Sequence, residues 1–323
     1  MSLNNATGCF IEHDLDQFVF PLVYITVIVI SIPTNSLSLY VSYKHIKRGN
    51  ELGIYLFNLS VADLLYTLTL PLWVDYSLQH DNWKHGSHLC KLCSFLMYTN
   101  FYTSAAFLCC ISIDRYLAVV YPLRFYVLRK VKTAIYVSGL IWAIELSGNI
   151  IILWHEETHR DHLNHLLCYD SYPLEKWKAM LNCGRFFIGF LLPAMLMVFC
   201  CQRIYKAIKS NIATQDHDKI KIKKLLLSIV VTFLICFTPY HIVMLIRSIT
   251  EPQMCEVAKR LFVPYKITMA LSSFNCIADP FLYSFVSESA RTDMLTAVLI
   301  FKKKPRQSSG LNYVNAAPAE KEG

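Results

Sequence analysis

Asp114-Arg115-Tyr116 and Asp279-Pro280-Phe281-Leu282-Tyr283 decide how this chain is read, because each closes a long apolar segment. A charged residue at the end of a stretch that can cross a bilayer is costly unless it has a task there. Apolar runs begin near Phe18, Ile54, Cys90, Val131, Trp177, Lys224 and Phe262. Each is long enough for the roughly 20 residues a helix needs to cross the hydrocarbon core. The first motif ends the third run and the second ends the seventh. The expectation is an all-α membrane protein, a bundle of seven spanning helices with its termini on opposite faces.

Composition points the same way. Of 323 residues, 54% are hydrophobic and 17% charged, whereas soluble domains carry about 25% charged residues. The expected organisation is an extracellular amino terminus over 1–18, the bundle over 19–286, an amphipathic membrane-surface helix over 287–301, and a polar, disordered cytoplasmic tail over 302–323 that opens on Lys302-Lys303-Lys304.

Short cytoplasmic loops retain Lys and Arg, and this sets the orientation. Lys44, Lys47 and Arg48 follow the first run, and Arg124, Arg129, Lys130 and Lys132 follow the third. Six lysines from Lys206 to Lys224 lie between the fifth and sixth. The amino terminus carries Glu12, Asp14 and Asp16 instead and is expected outside, in the plasma membrane. The net charge of +8 then describes a basic face beside anionic lipid, not a nucleic-acid surface. Outside is oxidising, and the pairings read there are Cys90 with Cys168 and Cys9 with Cys255. Asn5-Ala6-Thr7 is an accessible glycosylation acceptor, while Asn58-Leu59-Ser60 lies inside a span and should be inert.

Along nearly its whole length the chain resembles a rhodopsin-like G-protein-coupled receptor. The likeness rests on Asn35, Leu59-Ser60-Val61-Ala62-Asp63, Asp114-Arg115-Tyr116, Trp142, Pro193, Phe233-x-x-Cys236-x-x-Pro239 and Asp279-Pro280-x-x-Tyr283, in that order. Four further stretches are similar to the acid-sensing group of that family, in particular to its T-cell death-associated, or psychosine, receptor branch. They are His13-Asp14-Leu15-Asp16, Asp81-Asn82-Trp83, Tyr172-Pro173-Leu174-Glu175-Lys176-Trp177 and Cys236-Phe237-Thr238-Pro239-Tyr240-His241.

The resemblance implies a receptor activated by extracellular acid, with protons as the agonist, no enzymatic activity and no resident organic cofactor. Its implied partner is a heterotrimeric G protein, the stimulatory one, raising cyclic AMP, with arrestin and membrane lipid as further candidates. It also implies coupling through Asp114, Arg115, Tyr116, Tyr205 and Tyr283, and an internal sodium pocket of Asn35, Asp63, Asn100, Ser104, Asn275 and Asp279. Three positions depart from the pattern. Gln17 stands where that branch has a second amino-terminal histidine, Phe237 replaces a common tryptophan, and Lys219 stands where many relatives carry an acid that holds Arg115. An inactive-state latch on the sixth span is therefore not expected, and basal activity is.

Histidine placement supports acid sensing independently. Outer segments make up roughly a fifth of the chain, so about two of the eleven histidines would fall there by chance, and imidazole titrates near physiological pH. His13, His80, His85, His88, His155, His159, His162 and His165 all do. The bland alternative is that exposed loops tolerate histidine. A third reading is zinc, because His159, His162 and His165 recur at a spacing that would align them on one helical face; with no cysteine cluster nearby, no dedicated metal site is expected.

Asp63, Glu145 and Asp279 add carboxylates at membrane depth, where an ionised acid costs about 2.5–3.5 kcal/mol on the mildest insertion scale. The expected proton-sensing set is His13, His80, His85, His155, His159 and His241 toward the outside with Asp63, Glu145 and Asp279 in the core. Two rivals remain at this point. A lysolipid or peptide receptor would use Arg185, Arg247 and Lys266 for an anionic group, although loop acids such as Asp75 and Glu175 offer those cations ordinary pairing. An ion transporter would also carry intramembrane acids, but no internal repeat is visible.

Overall fold

The computed structural model describes residues 16–161, 164–169, 171–210, 216–252, 254–282 and 292. Among them are seven helices long and apolar enough to cross a membrane: α1 (Gln17–Lys47), α2 (Leu52–Leu78), α3 (Gly86–Val120), α4 (Val131–Trp154), α5 (Lys176–Lys209), α6 (Lys219–Thr250) and α7 (Cys255–Leu282). The seven expected spans are present. α7 begins seven residues ahead of the expected Phe262, because Glu256, Lys259 and Arg260 dilute the hydropathy of a first turn that is nonetheless helical.

Burial sorts the helices into layers. Every residue from Met97 to Ala105 of α3 is buried, so this helix is surrounded by the others. α4 instead turns Tyr136, Leu140 and Ile144 outward at four-residue spacing, the pattern of a stripe facing lipid. One core runs the length of the bundle, with Trp83, Tyr98, Phe101, Phe107, Phe237 and Tyr240 among its largest members.

Several of the proline-bearing spans deform locally. Arg185–Leu191 in α5 and Phe233–Phe237 in α6 are π-helical turns, each ending just before the proline at 193 or 239. A proline removes a backbone donor and crowds the preceding turn, and a widened turn absorbs both. In the α6 turn the Ser272 hydroxyl of α7 donates to the carbonyl of Cys236 at 2.8 Å. Near Pro280 the end of α7 tightens to a 3-10 turn over Asp279–Leu282.

The segment joining α4 to α5 forms a two-stranded antiparallel hairpin, β1 (Thr158–Arg160) with β2 (Leu166–Cys168), in which Thr158 faces Cys168 and His159 faces Leu167. Cys168 is disulfide-bonded to Cys90 of α3, as the sequence reading expects. The Trp83 amide donates to the Leu166 carbonyl at 2.7 Å, docking the hairpin on the α2–α3 connection. Cys255 is also disulfide-bonded; Cys9, its expected partner, lies outside the described residues, as do His13, His162, Asn5, Tyr283, the helix expected over 287–301 and the tail.

Candidate functional site

The helices bring the expected polar core together. Asp63, Asn100, Ser104, Asn275, Asp279 and Asn35 are all buried. Asn100 Nδ2 donates to Asp63 Oδ1 at 3.0 Å and to Ser104 Oγ at 3.4 Å, and Asn275 Nδ2 donates to Asn100 Oδ1 at 3.4 Å. Asn35 Nδ2 donates to the Cys276 carbonyl at 2.8 Å, tying α1 to α7. Among the described residues Asp63 Oδ2, both carboxylate oxygens of Asp279 and Asn35 Oδ1 have no hydrogen-bond partner. A cluster of buried, unpartnered oxygens around two carboxylates has the donor chemistry that a hard monovalent cation or a proton satisfies.

Glu145 lies toward the hairpin end of α4 and lines a cavity of about 490 Å³ with Tyr102, His155, Trp177 and Arg185. Arg185 is buried and richly held. Its Nη2 donates to Asn149 Oδ1 at 2.9 Å, its Nη1 to the Tyr169 hydroxyl at 3.1 Å, and its guanidinium stacks 3.9 Å from the centre of the Tyr98 ring. At this level α5 approaches α3 closely. A Cβ on Gly189 would meet the Tyr102 ring at 2.5 Å, so only glycine fits.

His241, counted toward the outside but placed in the sixth span by the sequence, turns its ring into the bundle. Its ring is buried and stacked on Phe190 at 4.5 Å; Nδ1 donates to the Phe237 carbonyl at 2.8 Å, and Nε2 has no partner among the described residues. The reason is that α6 turns this face inward against Tyr102 and Tyr240.

The remaining described histidines of the expected set gather at the hairpin end without forming one cluster. His80 contacts Gln17 of α1 and sits with Asp81 in left-handed backbone, at φ 54° and 56°. His85 Nε2 meets Asp75 Oδ2 at 2.8 Å, and His155 stacks on Trp177 at 4.3 Å. The helical alignment expected of His159, His162 and His165 is not found, because the segment folds back as a hairpin: His159 is within β1 and His165 immediately precedes β2. β-pairing of Thr158 and Arg160 with the disulfide-anchored β2 fixes this segment as strand. No metal-holding group of three His, Cys, Asp or Glu occurs among the described residues.

Ion pairs that sequence reading left unassigned fasten this end. Lys266 Nζ meets Asp81 Oδ2 at 2.8 Å, Arg247 Nη2 donates to Glu251 Oε1 at 2.7 Å, and Lys178 Nζ meets Glu157 Oε2 at 3.0 Å. All six side chains are buried. Of the three outer cations, Arg247 and Lys266 thus pair with acids as expected, though with Glu251 and Asp81 in place of Asp75 or Glu175, whereas Arg185 is held by Asn149 and Tyr169. A search pairing every loop acid with the charged ends of the spans would have raised them as candidates. Burial pushes the Glu157 carboxyl up from its ordinary range, while the Lys178 charge beside it acts the other way. Glu156 next to it is held down at about 2 by hydrogen bonds from Ser87 and Thr158. Burial, followed by the charge of Lys178, lowers the His159 imidazole.

At the opposite end Arg115 is held where the sequence places it. Its Nε donates to Asp114 Oδ2 at 3.0 Å. Tyr116 packs edge-on to Tyr121 and Phe199, and Tyr205 is exposed on α5.

Residues 34–283 match the family model described as 7 transmembrane receptor (rhodopsin family). The chain is 50% identical over 300 residues to G-protein coupled receptor 65 of Homo sapiens, covering 90% of this chain and 89% of the relative. It is 48% identical over 291 residues to G-protein coupled receptor 68 of Homo sapiens, covering 90% and 80%. With Lysophosphatidic acid receptor 6 of Homo sapiens it shares 30% identity over 299 residues, covering 90% and 87%.

Proposed function

This chain belongs to the rhodopsin family of seven-transmembrane receptors, a multi-pass membrane protein that signals through G proteins and is not an enzyme, and from that premise we propose that its agonist is the extracellular proton. The hairpin end with the amino terminus faces outside, and Arg115 faces the cytoplasm. Protons taken up by His13, His80, His85, His155 and His159 at the outer end, and by His241, Glu145, Asp63 and Asp279 within the bundle, favour the conformation in which Arg115 engages the stimulatory G protein and cyclic AMP rises.

The observation that carries this reading is the unpartnered state of Asp63 Oδ2 and both Asp279 oxygens in a buried site. Such groups change their interactions most when a proton or cation arrives. If sodium binds there, Asp63, Asp279, Asn35, Asn100, Ser104 and Asn275 would hold it, and it supplies the positive charge that keeps both carboxylates ionised. Protonation then competes with it.

Acid can activate only if protons bind more tightly to the active conformation. A shift of one pKa unit is worth about 1.4 kcal/mol, and moving a population from 1:99 to 99:1 needs about 5.5 kcal/mol. Roughly four such groups are needed, so the sensor is distributed and no single substitution abolishes it. His159 supplies the sign for one of them. It is half-buried near Lys178 here, so a conformation that exposes it raises its proton affinity.

A lysolipid receptor is the second reading, favoured by the likeness to a relative named for lysophosphatidic acid. The pairing of Arg247 with Glu251 and of Lys266 with Asp81 leaves less cationic surface for such a headgroup. Cyclic AMP accumulation in cells expressing the chain, titrated from mildly alkaline to mildly acidic medium, separates the two. The proton reading requires a steep receptor-dependent rise; a flat response at normal surface expression, with activation by a lysolipid at constant pH, replaces it with the rival.

A further inference from the structure

Arg115 has more partners than its neighbouring aspartate. Its Nη2 lies 3.8 Å from Glu51 Oε1, the same oxygen accepts from Arg129 Nη2 at 3.0 Å, and Arg129 Nε lies 3.6 Å from Asp114 Oδ1. With the Arg115–Asp114 contact this closes a ring of alternating charge: Arg115, Asp114, Arg129, Glu51 and back to Arg115. The side chains are 19%, 5%, 24% and 12% exposed in that order. Partial burial and mutual neutralisation make such a network worth more than the isolated surface pair it contains.

The ring joins three elements. Glu51 directly precedes α2, Asp114 and Arg115 lie near the end of α3, and Arg129 ends the 3-10 turn Tyr126–Arg129 in the connection to α4. Among the described residues α6 contributes nothing to it. The charged side chains described at its lower end are Lys219, Lys221, Lys223 and Lys224. Its packing on α5 at this level is a small cluster of Ile204, Ile208 and Leu226 beside a groove of about 440 Å³. Among the described residues no acid on α6 reaches Arg115; its partners are Asp114 beside it and Glu51 ahead of α2, with Arg129 bridging the two acids.

We infer that Glu51 is a positioning residue for G-protein coupling, the acid that closes the ring and keeps the Arg115 guanidinium on Asp114 until a G protein takes it. Glu51 neutralises the cation pair Arg115 and Arg129, which Asp114 alone would have to share. Without it, the repulsion between the two guanidinium groups favours the release of Arg115. The inference rests on the receptor reading but not on protons being the agonist.

The test measures agonist-independent G-protein dissociation by energy transfer, across a panel of G-protein families, in intact cells at one mildly alkaline pH and normalised to surface receptor number. Glu51→Gln, which keeps shape and removes charge, is expected to raise constitutive coupling by roughly three- to tenfold. Arg129→Gln removes the competing guanidinium and should not raise it, and Arg129→Lys keeps the charge and should stay within about twofold of the wild type. Arg129→Gln added to Glu51→Gln should return coupling most of the way to the wild type, because the repulsion that releases Arg115 is gone. A purely architectural role would lower surface number and thermal stability without raising coupling per receptor, and that result overturns the inference. So does wild-type basal coupling in Glu51→Gln. Should Glu51→Gln or the double variant be too sparse at the surface, the same two variants purified in nanodiscs are compared by nucleotide exchange on added G protein, with the same two outcomes. If coupling rises as expected while the wild type ignores acid, the ring stands and the proton reading falls.

Discussion

Lys178 of α5 and Glu157 of the connection ahead of β1 face each other at 3.0 Å with side chains 1% and 0% exposed. Lys178 Nζ also donates to the Tyr169 carbonyl at 3.0 Å, so one ammonium fastens both sides of the hairpin to α5. Breaking a buried pair from one side leaves an uncompensated charge and costs about 3–5 kcal/mol. Lys178→Met should therefore lower the Tm of the purified receptor by several degrees. Lys178→Met combined with Glu157→Leu should recover most of that loss, since the stranded carboxylate is gone. A single variant as stable as the wild type would show that the pair is not the fastening.

His159 gives a pH prediction with a definite sign. Its folded pKa is depressed below the ordinary value of about 6.5 by burial, then by Lys178, with Glu175 and Glu156 acting in the opposite direction. The neutral form is favoured in this conformation, and any conformation that exposes the ring binds the proton more tightly. Acidification through the window just below about 6.5 then shifts the population toward that conformation. His159→Gln removes this proton, so the cyclic AMP titration should move to more acidic pH and lose slope without losing its maximum. A titration displaced to more alkaline pH would reverse the assigned sign.

Gly189 tests how closely α5 must approach α3. A methyl group there would lie 2.5 Å from the Tyr102 ring, which in turn lines the cavity shared by Glu145 and Arg185. Gly189→Ala should displace Tyr102, and overpacking of this kind typically costs about 1–3 kcal/mol. The expected result is a lower Tm together with an altered acid midpoint, and Tyr102→Leu in the same chain should restore part of the stability. An unchanged Tm for Gly189→Ala would mean that the helices part without cost.

The polar core predicts competition between sodium and protons. With external and internal sodium replaced by N-methylglucamine, purified receptor in nanodiscs should show activation at less acidic pH, because a cation that holds the carboxylates ionised has been removed. Asp279→Asn should abolish that sodium dependence while leaving some acid response to the outer histidines. Sodium dependence that survives in Asp279→Asn would place the ion elsewhere.

Much of the bundle was legible because bilayer crossing imposes length and hydropathy, and both can be counted residue by residue. The polar core was legible for a related reason: Asp63, Asn100 and Asp279 sit in apolar runs where a polar side chain has few places to go except another polar side chain. The hairpin was not, because three-residue strands carry no period long enough to see, and the spacing of His159, His162 and His165 fits a helix equally well. Nor was the place of His241, since the sequence fixes its depth in α6 but not which way that face turns. The ring of Glu51, Arg129, Asp114 and Arg115 depends on how two connecting segments fold back on α3. Sequence showed only that Lys219 could not serve as the acid many relatives carry there, without showing what replaces it.

Nucleotide exchange on the stimulatory G protein, followed at a series of pH values with purified receptor in nanodiscs and no organic ligand, tests proton agonism most directly. Arg115→Ala receptor measured in parallel removes the effect of pH on the G protein itself. The exchange rate should climb steeply as pH falls from mildly alkaline to mildly acidic, and only with Arg115 in place. Exchange that stays flat over that range in folded wild-type receptor, yet rises when a lysolipid is added, would contradict the proton as agonist.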